Sequence, residues 1–156
     1  ENHTNFLLIK KQPAKRHENI VVFYKKQPTY NPQMWQGKEN HEKGVARKTS
    51  KREFLGAEFS CSEDIKGGVK YPITIQKFNG EGRGKAVHPT QKPVALFEYL
   101  IRTYTHAGEL VLDNCIGSGT AAIAAIRTGR HFIGIEKDLD YYIGALERVE
   151  RERLVK

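Results

Sequence analysis

Apolar positions are arranged differently in the two parts of this 156-residue chain. Phe6-Leu7-Leu8-Ile9 and Ile20-Val21-Val22-Phe23-Tyr24 are short runs rich in β-branched and aromatic residues, each followed by a lysine pair, Lys10-Lys11 and Lys25-Lys26. Runs of that length predict buried strands. From Thr29 to about Val69 no helical or strand period is sustained, which reads as a long functional loop region. Strand-like alternation returns over Tyr71-Pro72-Ile73-Thr74-Ile75-Gln76-Lys77-Phe78, and Gly80, Gly82 and Gly84 then interrupt it.

After His88 the period lengthens. Val94, Leu96, Phe97, Leu100, Ile101 and Tyr104 predict one amphipathic helix over about 92–105, closed by Gly108. Leu110-Val111-Leu112 predicts a strand, Gly117-Ser118-Gly119-Thr120 a tight turn, and Ala121 to Arg127 an alanine-rich helix ended by Gly129. His131 to Ile135 predicts a second strand, and Leu139, Tyr142, Ile143, Leu146 and Val149 a last amphipathic helix. The order strand-turn-helix-strand-helix is that of a doubly wound parallel α/β sheet. The expected fold is therefore a partial Rossmann-like α/β sheet carrying an irregular basic insertion.

Composition narrows the class without changing that picture. A chain of this length can bury one sizeable core, and no apolar run approaches the ~20 residues of a bilayer span. The two cysteines, Cys61 and Cys115, supply neither a four-ligand zinc site nor a disulfide framework, which points to a reducing compartment. His17, His41, His88, His106 and His131 lack metal-ligand spacing, so no metal site is expected. Charge is more informative. Residues 1–87 hold 17 Lys/Arg against 9 Asp/Glu, whereas residues 88–156 hold 9 of each, so the whole surplus of +8 lies in the first part. A basic region beside a neutral one favours a polyanionic partner through counterion release, with a solvated lysine-rich surface as the plainer alternative. Lys43, Arg47, Lys48, Lys51 and Arg52 are the candidate phosphate-tracking residues. Trp35 and Tyr30 could stack on bases or pack against the sheet.

The strongest chemical signal is Val111-Leu112-Asp113-Asn114-Cys115-Ile116-Gly117-Ser118-Gly119-Thr120. A strand runs into a turn whose glycines admit close backbone approach, with the positive end of a helix behind it. Glu136 follows Asp113 by 23 residues, at the end of the next strand, where a carboxylate can accept hydrogen bonds from both ribose hydroxyls. These features predict a nucleoside-containing cofactor. Gly119 is followed by Thr120-Ala121, which is not a P-loop ending. Gly117-x-Gly119-x-x-Ala122 matches the dinucleotide fingerprint, but the Asp113 carboxylate would repel a pyrophosphate and suits an ammonium or sulfonium. That chemistry favours S-adenosylmethionine over NAD, with NAD and a purely turn-capping Asp113 as alternatives. A second signal, His88-Pro89-Thr90-Gln91-Lys92-Pro93, places Thr90 as helix N-cap, Pro93 in the first turn and Lys92 at a carboxylate-binding corner.

His-Pro-Thr-Gln-Lys-Pro over 88–93, an amphipathic helix, Leu-Asp-x-x-x-Gly-Ser-Gly-Thr and then Phe-Ile-Gly-Ile-Glu together resemble the end of bacterial and phage DNA amino-methyltransferases of the permuted (β) group. These transfer a methyl group to adenine N6 or cytosine N4. The resemblance is specific over residues 88–156 and looser over 6–33, through Lys11-Gln12-Pro13, His17-Glu18, Val22-Phe23 and Tyr30-Asn31-Pro32-Gln33. It implies strands of a catalytic sheet over 1–33, a target-recognition region over 34–87 and an S-adenosylmethionine region over 88–156. It further implies His88, Thr90, Lys92, Asp113, Cys115, Gly117, Ser118, Gly119, Thr120 and Glu136 as cofactor-site residues. Of these, Thr90 and Lys92 would meet the methionine carboxylate, Asp113 and the glycine turn the methionine portion, and Glu136 the ribose.

Where relatives often have Asp-Pro-Phe this chain has Asp113-Asn114-Cys115, removing a ring beside the cofactor. The family's catalytic Asp/Asn/Ser-Pro-Pro-aromatic motif occurs nowhere among these residues, so no catalytic residue is expected in this chain. The resemblance thus implies a C-terminal fragment with little or no turnover alone. Double-stranded DNA is the implied partner, with room for a homodimer and a restriction endonuclease partner in the cell. The implied setting is the cytoplasm, with no membrane association. A non-catalytic DNA-binding module that keeps the fold as scaffold is the alternative from another class.

Overall fold

The computed structural model describes residues 10–11, 17–37, 52–54, 57–59, 68–80 and 90–155. In chain order they form β1 (Trp35–Gln36), β2 (Arg52–Phe54), β3 (Ala57–Phe59), β4 (Val69–Lys70), α1 (Val94–Tyr104), β5 (Leu110–Asp113), α2 (Thr120–Thr128), β6 (His131–Gly134) and α3 (Leu139–Leu154). Strands β1 and β4 pair antiparallel, as do β2 and β3, while β5 and β6 pair parallel across α2. The last unit is the expected doubly wound arrangement, in partial form.

Its core explains why. Along α1, Val94 and Ile101 are buried and Phe97 lies against them, a spacing that presents one face to α2. Helix α2 is walled in along almost its whole length: Ala121, Ala122, Ile123, Ala124 and Ala125 are buried, and Ile123, Ala124 and Ala125 join the α1 cluster. Alanine favours the helix and leaves no bulk between backbones, so α1 and the sheet approach closely. Val111 and Phe132, on the inner face of β5 and β6, complete the cluster. Gly129 ends α2 at φ 73°; its N–H bonds to the Ile126 carbonyl and that of Arg130 to Ala125, the hydrogen-bond pair of a Schellman stop. Asp138 caps α3, accepting from the N–H groups of Asp140 (3.0 Å) and Tyr141 (3.1 Å). Arg127 bridges the helices, with two hydrogen bonds to Glu152 of α3 (2.7 and 2.8 Å) and a longer contact to Glu98 of α1 (3.5 Å).

Several expectations fail, each for a physical reason. Ile20–Tyr24 forms no strand and lies exposed, Phe23 at 90%. A β-prone sequence becomes a strand only where a neighbour supplies its hydrogen bonds, and no described segment does. The alternation over 71–78 fails likewise; only Val69–Lys70, just before it, pairs. The span 29–69, expected to be irregular, contains β1, β2 and β3, and β4 starts at its end. Thr90 is not the cap of α1. Pro93 is, at an extended ψ of 135°, and the residue before it, Lys92, is pushed out of helical geometry by the proline ring, so no helix can run from Thr90 through it. Tyr30 rests on Tyr104 of α1 (6.3 Å between rings) rather than on the sheet, and the Trp35 N–H bonds to the Tyr71 carbonyl at 2.9 Å. Of the residues expected to mark the buried side of α3, only Val149 is buried, together with Ala145; Leu139, Tyr142, Ile143 and Leu146 are exposed. The outer face of the parallel pair is likewise open at Leu110, Leu112, Ile133 and Ile135. Phe6–Ile9 lies outside the described residues. No described helix is long and apolar enough to cross a membrane.

The earlier part of the chain is tied to α1 at both ends. The Lys92 ammonium, just before the helix, meets Glu18 at 2.6 Å. At the other end the Asn31 N–H bonds to the Thr103 carbonyl (2.7 Å) and its amide to those of Arg102 and Thr105 (3.2 Å each), satisfying carbonyls the helix end leaves unpaired.

Candidate functional site

The register of the parallel pair builds the site. Leu110 lies opposite His131 and Asp113 opposite Gly134, so both strands end at the same level. Hydrogen bonding continues past those ends: the Ile135 N–H reaches the Asp113 carbonyl (2.9 Å) and the Ile116 N–H the Ile135 carbonyl (3.0 Å). This zipper carries the glycine turn to the side of Glu136. Gly117 and Gly119 adopt φ of 51° and 79°, left-handed values that β-carbons disfavour. A β-carbon on Gly119 would also stand 3.2 Å from that of Ala145, so only glycine lets α3 approach the start of α2 this closely.

Glu136 is held by its own surroundings. Oε2 accepts from the Gly117 N–H (2.8 Å), and Oε1 from the N–H groups of Lys137 and Asp138 (3.0 Å each). The Asp138 bond, followed by that of Gly117, holds the carboxyl below its ordinary range and keeps it an anion. Asp113 points one oxygen back into the turn, where Oδ1 accepts from the Cys115 N–H at 3.0 Å. It therefore does cap the turn, through a single oxygen.

These groups line one cleft of about 450 Å³, within the range of small-molecule sites. Thr90, Lys92, Asp113, Cys115, Gly117, Ser118, Thr120 and Glu136 all border it. Gly119 sits behind, buried as the α2 N-cap. The Thr120 hydroxyl approaches the Lys92 carbonyl (3.5 Å), joining the wall before α1 to the turn. Lys92 already holds Glu18, but an ammonium has three donors and keeps capacity for a second anion. Cys115 is a free, exposed thiol at the rim. Sequence reasoning missed Gln91, Phe97, Asn114, Ile116, Ile135 and Lys137 as lining residues, although Gln91 and Asn114 lie inside the two motifs it singled out. Phe97 and Ile135 read as core positions, and only the adjacency of Ile135 and Lys137 to Glu136 could have marked those two. His88, Lys43, Arg47, Lys48 and Lys51 lie outside the described residues, and Arg52 is described only as backbone of β2. No cluster of metal-ligating side chains occurs among the described residues.

A model of the DNA methylases, comprising N6 and N4 methyltransferases, matches residues 2–147. The chain belongs to the N6/N4 DNA methylase family. Within the family it is 46% identical over 65 residues to the type II methyltransferase M2.DpnII of Streptococcus pneumoniae, covering 42% of this chain and 24% of that protein. It is 34% identical over 106 residues to YubD of Escherichia coli (strain K12), a protein with a methylase name, covering 65% of this chain and 46% of YubD. The chain thus spans less than half the length of either methylase. Among solved structures it resembles the M1.HpyAVI–SAM complex, with 44% identity, 41% of this chain and 32% of that one covered, and a TM-score of 0.40. It also resembles the cytosine-N4-specific PvuII DNA methyltransferase, with 26% identity, 53% and 35% covered, and a TM-score of 0.41.

Proposed function

We propose that this chain is the cofactor-holding part of a site-specific DNA methyltransferase that uses S-adenosylmethionine to methylate an exocyclic amine of adenine (N6) or cytosine (N4). One observation carries the reading: Asp113, the glycine turn, Glu136 and Lys92 all line a single cleft. The donor set suits a sulfonium nucleoside amino acid. Two carboxylates oppose the approach of a pyrophosphate but favour cationic groups and sugar hydroxyls, and Lys92 complements a carboxylate.

The bound cofactor would supply an electrophilic methyl group; this chain's residues would hold and orient the molecule that carries it. Asp113, with Oδ1 fixed by the Cys115 N–H, offers Oδ2 to a positive group. Glu136 uses three of its roughly four lone-pair sites on backbone N–H groups, leaving one on Oε2 for a ribose hydroxyl. Capture of both hydroxyls, as the strand-end position alone suggested, would require one backbone N–H to let go. Thr90 and Lys92 would take the amino-acid end, and Lys92 would then share its charge between Glu18 and the ligand. His88, Cys115, Ser118 and Thr120 would complete the surroundings. The basic residues Lys43, Arg47, Lys48, Lys51 and Arg52 would contact duplex DNA within a target-recognition region over 34–87. Without a Pro-Pro-aromatic turn the chain would turn over little alone. Membership of a restriction-modification pair, pairing of two copies and a cytoplasmic setting belong to the same reading.

Calorimetric titration of the chain with S-adenosylmethionine and, separately, NAD tests it. Saturable binding of the first with no response to the second is expected. NAD binding the tighter, or no response to either, would overturn the reading, and salt-dependent duplex binding without a cofactor response would favour a non-catalytic module.

A further inference from the structure

We infer that Arg148 of α3 is a positioning residue for the cofactor turn, holding the Ser118 peptide so that the turn is ordered before a ligand arrives. This rests on the cofactor reading above. The Arg148 guanidinium, itself half-buried, donates from Nη1 to the Ser118 carbonyl oxygen at 2.5 Å. Ser118 is buried, at 4% exposure, and a buried carbonyl needs a partner. The residues on either side are Gly117 and Gly119, both at positive φ. The Ser118 carbonyl belongs to the Ser118–Gly119 peptide, which turns about Ser118 ψ and Gly119 φ, and Gly119 carries no β-carbon to resist on its side. A charged donor on that carbonyl removes the freedom. It fixes the plane of the Ser118–Gly119 peptide and with it the direction in which α2 leaves the turn.

The restraint extends to the segment before α1. The Ser118 hydroxyl lies 3.3 Å from that of Thr120, which in turn approaches the Lys92 carbonyl. One side chain from α3 thus anchors the turn from behind, and Thr120 ties it to the segment before α1. Arg148 does not line the cleft, so its effect on a ligand must pass through the turn.

The test compares the whole chain with Arg148→Met and Arg148→Lys. It uses S-adenosylmethionine titration, ligand-free thermal unfolding and hydrogen exchange of the amides at residues 117–120. R148M should weaken binding about tenfold, the worth of a hydrogen bond to a charged group. R148K keeps a cationic donor and should recover most of that loss. Without ligand, the turn amides of R148M should exchange faster than in the parent while those within α1 do not. Unchanged affinity and unchanged turn exchange in R148M would overturn the proposal, as would equal loss in both variants. Should R148M fail to fold, Arg148→Gln, which loses the charge, takes its place: faster turn exchange than in the parent, without faster exchange in α1, supports the proposal and equal exchange overturns it. If the parent chain binds no S-adenosylmethionine, the cofactor reading fails by itself, and the exchange comparison still decides the role of Arg148.

Discussion

Replacing Gly119 with alanine should be the most damaging single-methyl change in the cofactor turn, and its cost divides into two parts. The first is conformational. Gly119 sits at φ 79° and ψ 16°, and an L-residue in that left-handed well costs roughly 1–2 kcal/mol. The second is steric. The new β-carbon would lie 3.2 Å from the Ala145 β-carbon, 3.3 Å from its Cα and 3.4 Å from its carbonyl oxygen, so α3 would have to shift by a few tenths of an ångström. Overpacking of a filled interior costs about 1–3 kcal/mol. Gly129→Ala provides the control, because Gly129 has φ 73° but open space where the β-carbon would go. It should show only the conformational cost. With about 2–4 °C of Tm per kcal/mol for a chain of this size, G129A should lower Tm by roughly 2–8 °C and G119A by several degrees more. Thermal and denaturant unfolding followed by circular dichroism measures both. Equal destabilisation by the two variants would refute the close α2–α3 contact on which the turn's geometry rests. G119A should also weaken S-adenosylmethionine binding, whereas G129A, at the far end of α2, should not.

Other expectations concern the cleft and the basic region. Asp113→Ala should weaken S-adenosylmethionine binding more than Cys115→Ala in calorimetry, and equal or reversed effects would contradict the role given to Asp113. The Glu136 carboxyl is held below its ordinary range by the N–H groups of Asp138, Gly117 and Lys137, so its folded-state pKa lies below its unfolded one. Its contribution to stability is therefore complete above the ordinary carboxylate pKa and is lost as pH falls through the depressed folded value. The stability gap between the parent and Glu136→Gln should accordingly shrink as denaturation is repeated at more acid pH, and a gap constant with pH would contradict the assigned hydrogen bonds. Replacing Lys48, Lys51 and Arg52 together should reduce the slope of log affinity for duplex DNA against log salt by up to about three, at roughly 0.9 per phosphate contact. An unchanged slope would remove these residues from the interface.

What could be read from the sequence was whatever depends on local period and on glycine. The spacing of Val94, Phe97 and Ile101 and the stops at Gly108 and Gly129 locate α1, β5, α2 and β6 to within a residue or two. The convergence of Asp113 and Glu136 was legible because parallel strands joined by one helix end on the same side. What failed depends on partners distant in sequence. Ile20–Tyr24 has strand composition, but composition supplies no hydrogen-bonding neighbour. No pattern within either segment links Glu18 to Lys92 or Asn31 to the end of α1. The same limit applies to Arg148, one arginine among several on α3 until the fold places its guanidinium on the Ser118 carbonyl. Glu136 shows both sides. Its place was legible, whereas the backbone donors that already fill most of its acceptor capacity were not.

Crystals of the chain grown with S-adenosylmethionine test the central claim most directly. Density for the cofactor should lie along the ends of β5 and β6, with a ribose hydroxyl on Glu136 Oε2 and the amino-acid end between Asp113 and Lys92. A well-ordered cleft left empty at saturating cofactor, or a ligand bound elsewhere on the chain, would contradict it.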